Sequence, residues 1–190
     1  KKAKFRISSI VTSSVFFLFL IGIILRFNII HFEMIEEIYT YFTIEMLYLW
    51  VNLGVMPFWF ILIIFPQSHI CKYFVTSIFP IIILSVAYIL TLYKSYLYDY
   101  DFIVNFNLYF GINELSNLFS GNFFLMMFWV HFISINLFIG GWIVKDSQIF
   151  FMNKFVVAVP LIVTYLIGPI GVFIYWVIRI FYAKRISLYE

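Results

Sequence analysis

Charge is scarce in this chain. Charged residues make up 11% of its 190 positions, against about 25% in soluble globular domains. A soluble fold of this length could not hide what fills the gap, so a water-soluble enzyme or binding module is excluded. The net charge of +3 is small. The basic residues stand at the edges of apolar runs rather than in a patch, which fits membrane flanking and excludes nucleic-acid binding. A single cysteine, Cys71, rules out an internal disulfide. His31, His69 and His131 lie in different segments and form no ligand spacing with Cys71, so neither a metal nor another cofactor is expected. Two histidines a turn apart, as a haem or di-iron span would carry, are missing. No phosphate-cradling glycine loop and no nucleophile elbow occur. Ten-residue alternating segments are absent, which excludes a membrane β-barrel. There is no internal repeat, low-complexity linker or second soluble domain.

What remains is apolar: 65% of the residues are hydrophobic and 24% aromatic. Crossing a bilayer core takes about 20 apolar residues in a helix. Five runs approach that length, and the expected fold is an all-α, polytopic transmembrane bundle of about five spans. The first run is Ile7–Leu25, after the basic group Lys1, Lys2, Lys4 and Arg6. It is too long for a signal-peptide core and is followed by no small-residue cleavage site. Arg26–Thr43 interleaves Glu33, Glu36 and Glu37 with apolar residues, which reads either as a short interfacial amphipathic helix or as a solvated acidic face. The second run, about Phe42 to Phe65, contains Asn52, Gly54 and Pro57; Pro57 should kink it. The third, about Tyr73 to Tyr93, has Pro80 as a second kink and Lys94 as its end. Ser95–Ser120 is a long connection whose Tyr and Phe content places part of it in the interface. The fourth run is Gly121–Val144, followed by a charged turn, Lys145–Lys154. The fifth, about Phe155 to Ile180, carries Pro160 and the group Gly168-Pro169-Ile170-Gly171, which should break or bend it near its centre. Five crossings with the N-terminus inside put seven basic residues on the inner face against five outside, a weak bias. The division expected is a span and connection over 1–42 and a four-helix membrane domain over 43–190.

His131 is the only ionisable residue between Gly121 and Val144. A histidine inside a span marks a functional-site hypothesis, because leaving it unpaired in lipid is costly. Imidazole is the usual proton-transfer group near neutral pH. The alternative is a neutral histidine bonded to a backbone carbonyl or to a serine such as Ser134, three residues on and on the same face. Asn136 is five residues from His131, roughly 140° around the helix, so the two face apart. Asn52 reads as interhelical glue or as a polar lining group. Gly168, Pro169 and Gly171 serve helix shape and, secondly, pocket formation. Asp146, Glu114 and Arg179 are expected to be interface charges.

Four stretches stand in a recognisable order: Val-Asn-Leu-Gly-Val-Met-Pro-Phe-Trp at 51–59, Phe-Trp-Val-His-Phe at 128–132, Leu-Phe-Ile-Gly-Gly-Trp-Ile-Val-Lys-Asp at 137–146 and Gly-Pro-Ile-Gly-Val-Phe-Ile-Tyr at 168–175. With their spacing, they resemble the abscisic-acid-deficient-four-like, or neoxanthin synthase-like, family of membrane proteins. The resemblance covers about residues 43 to 183 and implies a four-span core with one extra N-terminal span. In plant relatives it implies a multi-pass plastid-membrane protein needed to convert violaxanthin to neoxanthin. That conversion is an epoxide opening with allene formation, formally an isomerisation. It wants an acid at the oxygen and a base at a carbon-bound proton, and the resemblance brings His131 forward for such work. The family commonly has an acidic residue where this chain has Asn136, and a basic one where it has Gly141. An asparagine can hydrogen-bond but cannot carry a proton at neutral pH.

Two functions follow as expectations. One is an enzyme or essential factor acting on a carotenoid or similar apolar isoprenoid in the bilayer, with His131 catalytic and Asn52, Asn136, Gly168, Pro169 and Gly171 lining its pocket. The other is a non-catalytic membrane subunit, scaffold or small carrier that keeps the fold without the acid-base pair. In both, the lipid bilayer is the partner, and membership of a membrane complex fits the second.

Overall fold

The computed structural model describes residues 43–184. All but Thr43 belong to the unit Ile44–Glu190, which is described by itself. The expected first span and the Glu-rich connection up to residue 42 lie outside the described residues. All regular structure among the described residues is helical. Three helices are long and apolar enough to cross a membrane: α1 (Ile44–Ile64), α2 (Phe79–Leu97) and a later one, Asn122–Ile149. Four of the five expected crossings fall within the described residues, and three of those four appear there as helices of spanning length.

The burial pattern explains α1. Leu47, Val51, Val55, Trp59 and Leu62 recur every three or four residues and are buried, while the apolar side chains between them, such as Trp50, Leu53 and Phe60, are exposed. A helix apolar all round with only one packed stripe belongs in lipid, where the remaining faces need no protein cover. Pro57 lies inside α1 without ending it. Pro80 has a different role from the one expected. It occupies the first turn of α2, where its missing N–H costs nothing, so the helix begins at Phe79 and not near Tyr73. Cys71–Val75 forms a separate π-helical turn before it. At the other end α2 runs past Lys94 to Leu97, and Lys94 is buried.

Between α2 and the next long helix, the chain makes a 3₁₀ turn, Phe102–Tyr109, and a short helix α3 (Ile112–Phe119). Asp101 opens the 3₁₀ turn, its carboxylate accepting from the Ile103 N–H at 2.8 Å. Leu118, Phe124 and Met127, with Tyr88, Leu92 and Phe102 against them, pin this segment to the ends of the long helices. Ile103, Phe106, Tyr109, Phe110 and Ile112 stay exposed, as an interfacial segment requires.

The long helix α4 (Asn122–Ile149) has 28 residues, about 42 Å at 1.5 Å per residue. Lys145 and Asp146 are part of it, so the turn that follows is shorter than the expected Lys145–Lys154. Contacts fix the directions. Trp129 meets Asn52 near one end, and Gln148 reaches the Pro66 carbonyl at the other, at 2.8 Å. Hence α1 and α4 run parallel, with α2 antiparallel to both.

The last apolar run is two helices, α5 (Lys154–Leu166) and α6 (Gly168–Ala183), broken at Ile167. The break at Gly168-Pro169 matches expectation; the path after it does not. Gly168 packs on Asn136 at the middle of α4, whereas Tyr175 and Arg179 bond to Asp146 near the C-terminal end of α4. The chain therefore descends beside α4 to mid-helix, turns, and returns to the side it came from. With 13 and 16 residues, each arm is too short for a crossing that takes about 20. The fifth run is a re-entrant helical hairpin, not a span.

Candidate functional site

The hairpin places polar groups at two depths. Its tip lies against Asn136, halfway along α4. A Cβ on Gly168 would collide with the Asn136 carboxamide oxygen, so only glycine lets α6 start this close. No side chain caps α6, and the first N–H groups of a helix have no partner within it. Thr164 is buried, donates to the Pro160 carbonyl at 2.7 Å, and packs on Gly171. Asn136 is itself buried, and its Nδ2 is the one buried side-chain polar atom with no hydrogen-bond partner among the described residues. An unmade bond of this kind costs more than a made one gains. At bilayer mid-depth, irregular backbone and polar side chains are tolerated only where protein or a cavity meets them.

The second cluster lies toward the basic end of the bundle. Asp146 accepts from the Tyr175 hydroxyl at 2.5 Å and from Arg179 Nε at 2.7 Å, with Arg179 Nη2 at 3.3 Å from its other oxygen. The guanidinium also lies over the rings of Phe150 and Trp176, at 4.9 and 5.6 Å from their centroids. Trp142 packs edge-on against Tyr175. Arg179 is 1% exposed and Tyr175 fully buried. Paired charges with additional hydrogen bonds are the form in which ions survive burial. Asp146 and Arg179 are thus not the interface charges expected from the sequence. Tyr175 was not singled out at all. The available signal was the spacing of Tyr175 and Arg179, one turn apart on one face, with a lone acid at the end of the preceding run.

The other sequence-derived residues are spread out. Asn52 accepts from Trp129 Nε1 at 3.3 Å and donates to the Tyr48 carbonyl at 2.6 Å, which is interhelical glue. His131 is exposed on α4, on the face turned away from Asn136. Pro169 is exposed at the tip, and Gly171 is buried beside Thr164. Asn136, Gly168 and Gly171 are brought together at the hairpin; His131 and Asn52 are not part of that group. Among the described residues no three His, Cys, Asp or Glu side chains are grouped as metal ligands would be.

A family model described as ABA DEFICIENT 4-like matches residues 46–175. The chain belongs to that family. The matched region of this ABA DEFICIENT 4-like protein takes in α1 to α4, the hairpin tip, Asp146 and Tyr175, and ends before Arg179. No curated protein and no solved structure gives a significant match. Family membership and three helices of spanning length make it an integral membrane protein.

Proposed function

We propose that this protein binds an oxygen-bearing apolar isoprenoid, of the carotenoid class on which plant relatives act, within a plastid-type bilayer. The observation that carries the reading is the Asn136 Nδ2 donor, buried without a partner beside the hairpin tip at mid-helix depth. A hydroxyl, epoxide or keto oxygen on a bilayer-resident ligand supplies the acceptor that this donor lacks. Water is scarce at that depth, so the ligand oxygen has little competition. Gly168 keeps the tip close, and Gly171 with Thr164 shapes the break behind it. His131 is the proton-transfer group in the catalytic form of this reading; because it stands on the lipid side of α4, turned away from Asn136, that form requires a ligand long enough to pass around the helix to it.

A non-catalytic form has an observation of its own. The described acid-base groups that are packed together, Asp146, Tyr175 and Arg179, direct their hydrogen bonds to each other rather than to a ligand. Such a protein would hold or present the isoprenoid for another membrane subunit.

The test is mass spectrometry of the lipid retained by detergent-purified protein. Wild type is expected to keep a polyene or other isoprenoid in stoichiometric amount, and Asn136→Leu to lose it while remaining folded. Retention of bulk phospholipid alone by wild type would remove the reading. His131→Ala then separates the two forms: it abolishes product formation in the catalytic one and leaves ligand retention unchanged in the other.

A further inference from the structure

A groove of about 480 Å³ runs along α4, away from the hairpin tip. Leu137, Gly141 and Trp142 of α4 form one wall, and Ile81 with the turn leading into α2 forms the other. Gly141 leaves the groove open, since a Cβ there would find only the Thr76 Cα, at 3.9 Å. From Leu137 to Lys145 the groove follows eight residues of α4, about 12 Å of helix. Its inner end is at Leu137, level with Asn136 and so at mid-depth, but on another face of the helix. Its outer end is Lys145, at the interface. That length is nearly the depth of one leaflet, half of a hydrocarbon core about 30 Å thick.

The two ends differ in chemistry. The inner end is apolar. The outer end carries the exposed Lys145, and Thr76 and Ser77 also line the groove. Both hydroxyls donate to backbone carbonyls, of Lys72 and Phe74, which leaves their oxygens as acceptors only. The uncompensated charge there is the lysine. Among the described residues its side of the bundle is basic: Lys72, Lys145, Lys154 and Lys184 are exposed, and the one acid, Asp146, is buried against Arg179.

We infer that this groove is a binding site for one anionic membrane lipid, with an acyl chain along Gly141 and the headgroup phosphate on Lys145. The occupant is fixed by depth and charge. A chain confined to one leaflet with its anion at the interface matches a groove that is apolar at mid-depth and cationic at the surface. A long symmetric polyene would need to continue past Leu137. The site is independent of the isoprenoid reading, because it uses the opposite side of α4 from Gly168.

The whole chain is purified in detergent and examined by native mass spectrometry with phosphatidylglycerol or phosphatidylcholine of matched chains. Wild type is expected to retain one phosphatidylglycerol, with a preference of about fivefold, the worth of one interfacial lysine. Lys145→Gln should bring that preference close to one. Lys154→Gln, on the same side but outside the groove, should leave it unchanged. Gly141→Leu should fill the groove and reduce retention of both lipids, with Gly141→Ala as the control that folds and still binds. The inference is overturned if wild type retains the two lipids equally or retains neither. It is equally overturned if Lys145→Gln keeps the preference, or if the groove is covered instead by a second copy, seen as a lipid-free dimer.

Discussion

Asp146 holds two groups of α6, and it reaches them only because the hairpin returns to its level. Removing one member of a buried ion pair leaves the other charge without compensation, which typically costs about 3–5 kcal/mol. Asp146→Ala is expected to lower stability by that order in detergent unfolding. Tyr175→Phe deletes only a hydrogen bond to a charged group and should cost about 1.5–3 kcal/mol. Equal effects of the two would mean that the hydroxyl, not the ion pair, fastens α6. Cys71 makes a second prediction. Burial pushes its thiol from an ordinary 9.0 up to about 11. The fold favours the neutral form, so this contribution is complete below about pH 9 and disappears as pH rises through about 11. At pH 8 the thiol should resist alkylation in the folded protein and react when the chain is denatured; rapid labelling of folded protein would place Cys71 at the surface. Neither environment was legible in the sequence. Asp146 stands beside Lys145 at the end of an apolar run, and its partners lie 29 and 33 residues away. Cys71 stands in a stretch that also reads as a polar turn. For His131 and Asn136 the helical angle did carry information, since five residues of separation turn one away from the other.

The helices were easier to read than their paths. Runs of apolar residues located α1, α2 and α4, because length and composition alone decide whether a helix can cross lipid. Pro80 was ambiguous: the same residue kinks a helix from inside and starts one from its first turn. The Gly-Pro-Ile-Gly group announced a break, but a break carries no angle. What sets the angle is a collision. A side chain at Gly168 would strike Asn136, and one at Gly171 would strike Thr164. The sequence contains both residue pairs without indicating that they touch. Overpacking such a contact costs about 1–3 kcal/mol, so Gly168→Ala should destabilise by that amount in thermal or denaturant unfolding. Asn136→Ala makes room for the new methyl. The double variant should therefore be more stable than the sum of the two single effects predicts, which is the signature of direct contact. Strict additivity would mean that the tip does not sit on Asn136.

At the scale of the molecule, the hairpin changes which charges share a face. Counted as a fifth crossing, the last run sends Arg179 and Lys184 to the side opposite Lys154. Counted as a hairpin, it keeps them with Lys72, Lys145 and Lys154. The opposite end of the described bundle then carries Glu45, Asp99, Asp101 and Glu114 exposed, with Lys94 buried. A weak bias becomes a clear one, and the positive-inside rule puts the basic face on the cytoplasmic or stromal-like side. The same face holds the mouth of the groove at Lys145, so orientation and lipid preference rest on one charge distribution. Single cysteines in a Cys71→Ser background decide the geometry. Lys154→Cys and Lys184→Cys, before and after the hairpin, should react with an impermeant maleimide from the same side of sealed vesicles. Ser116→Cys, on α3, should react only from the other. If Lys184→Cys instead reacts together with Ser116→Cys, the last run crosses the membrane. Tyr175 and Arg179 could not then bond Asp146, and the buried network, the hairpin tip on Asn136 and the basic face would fall together.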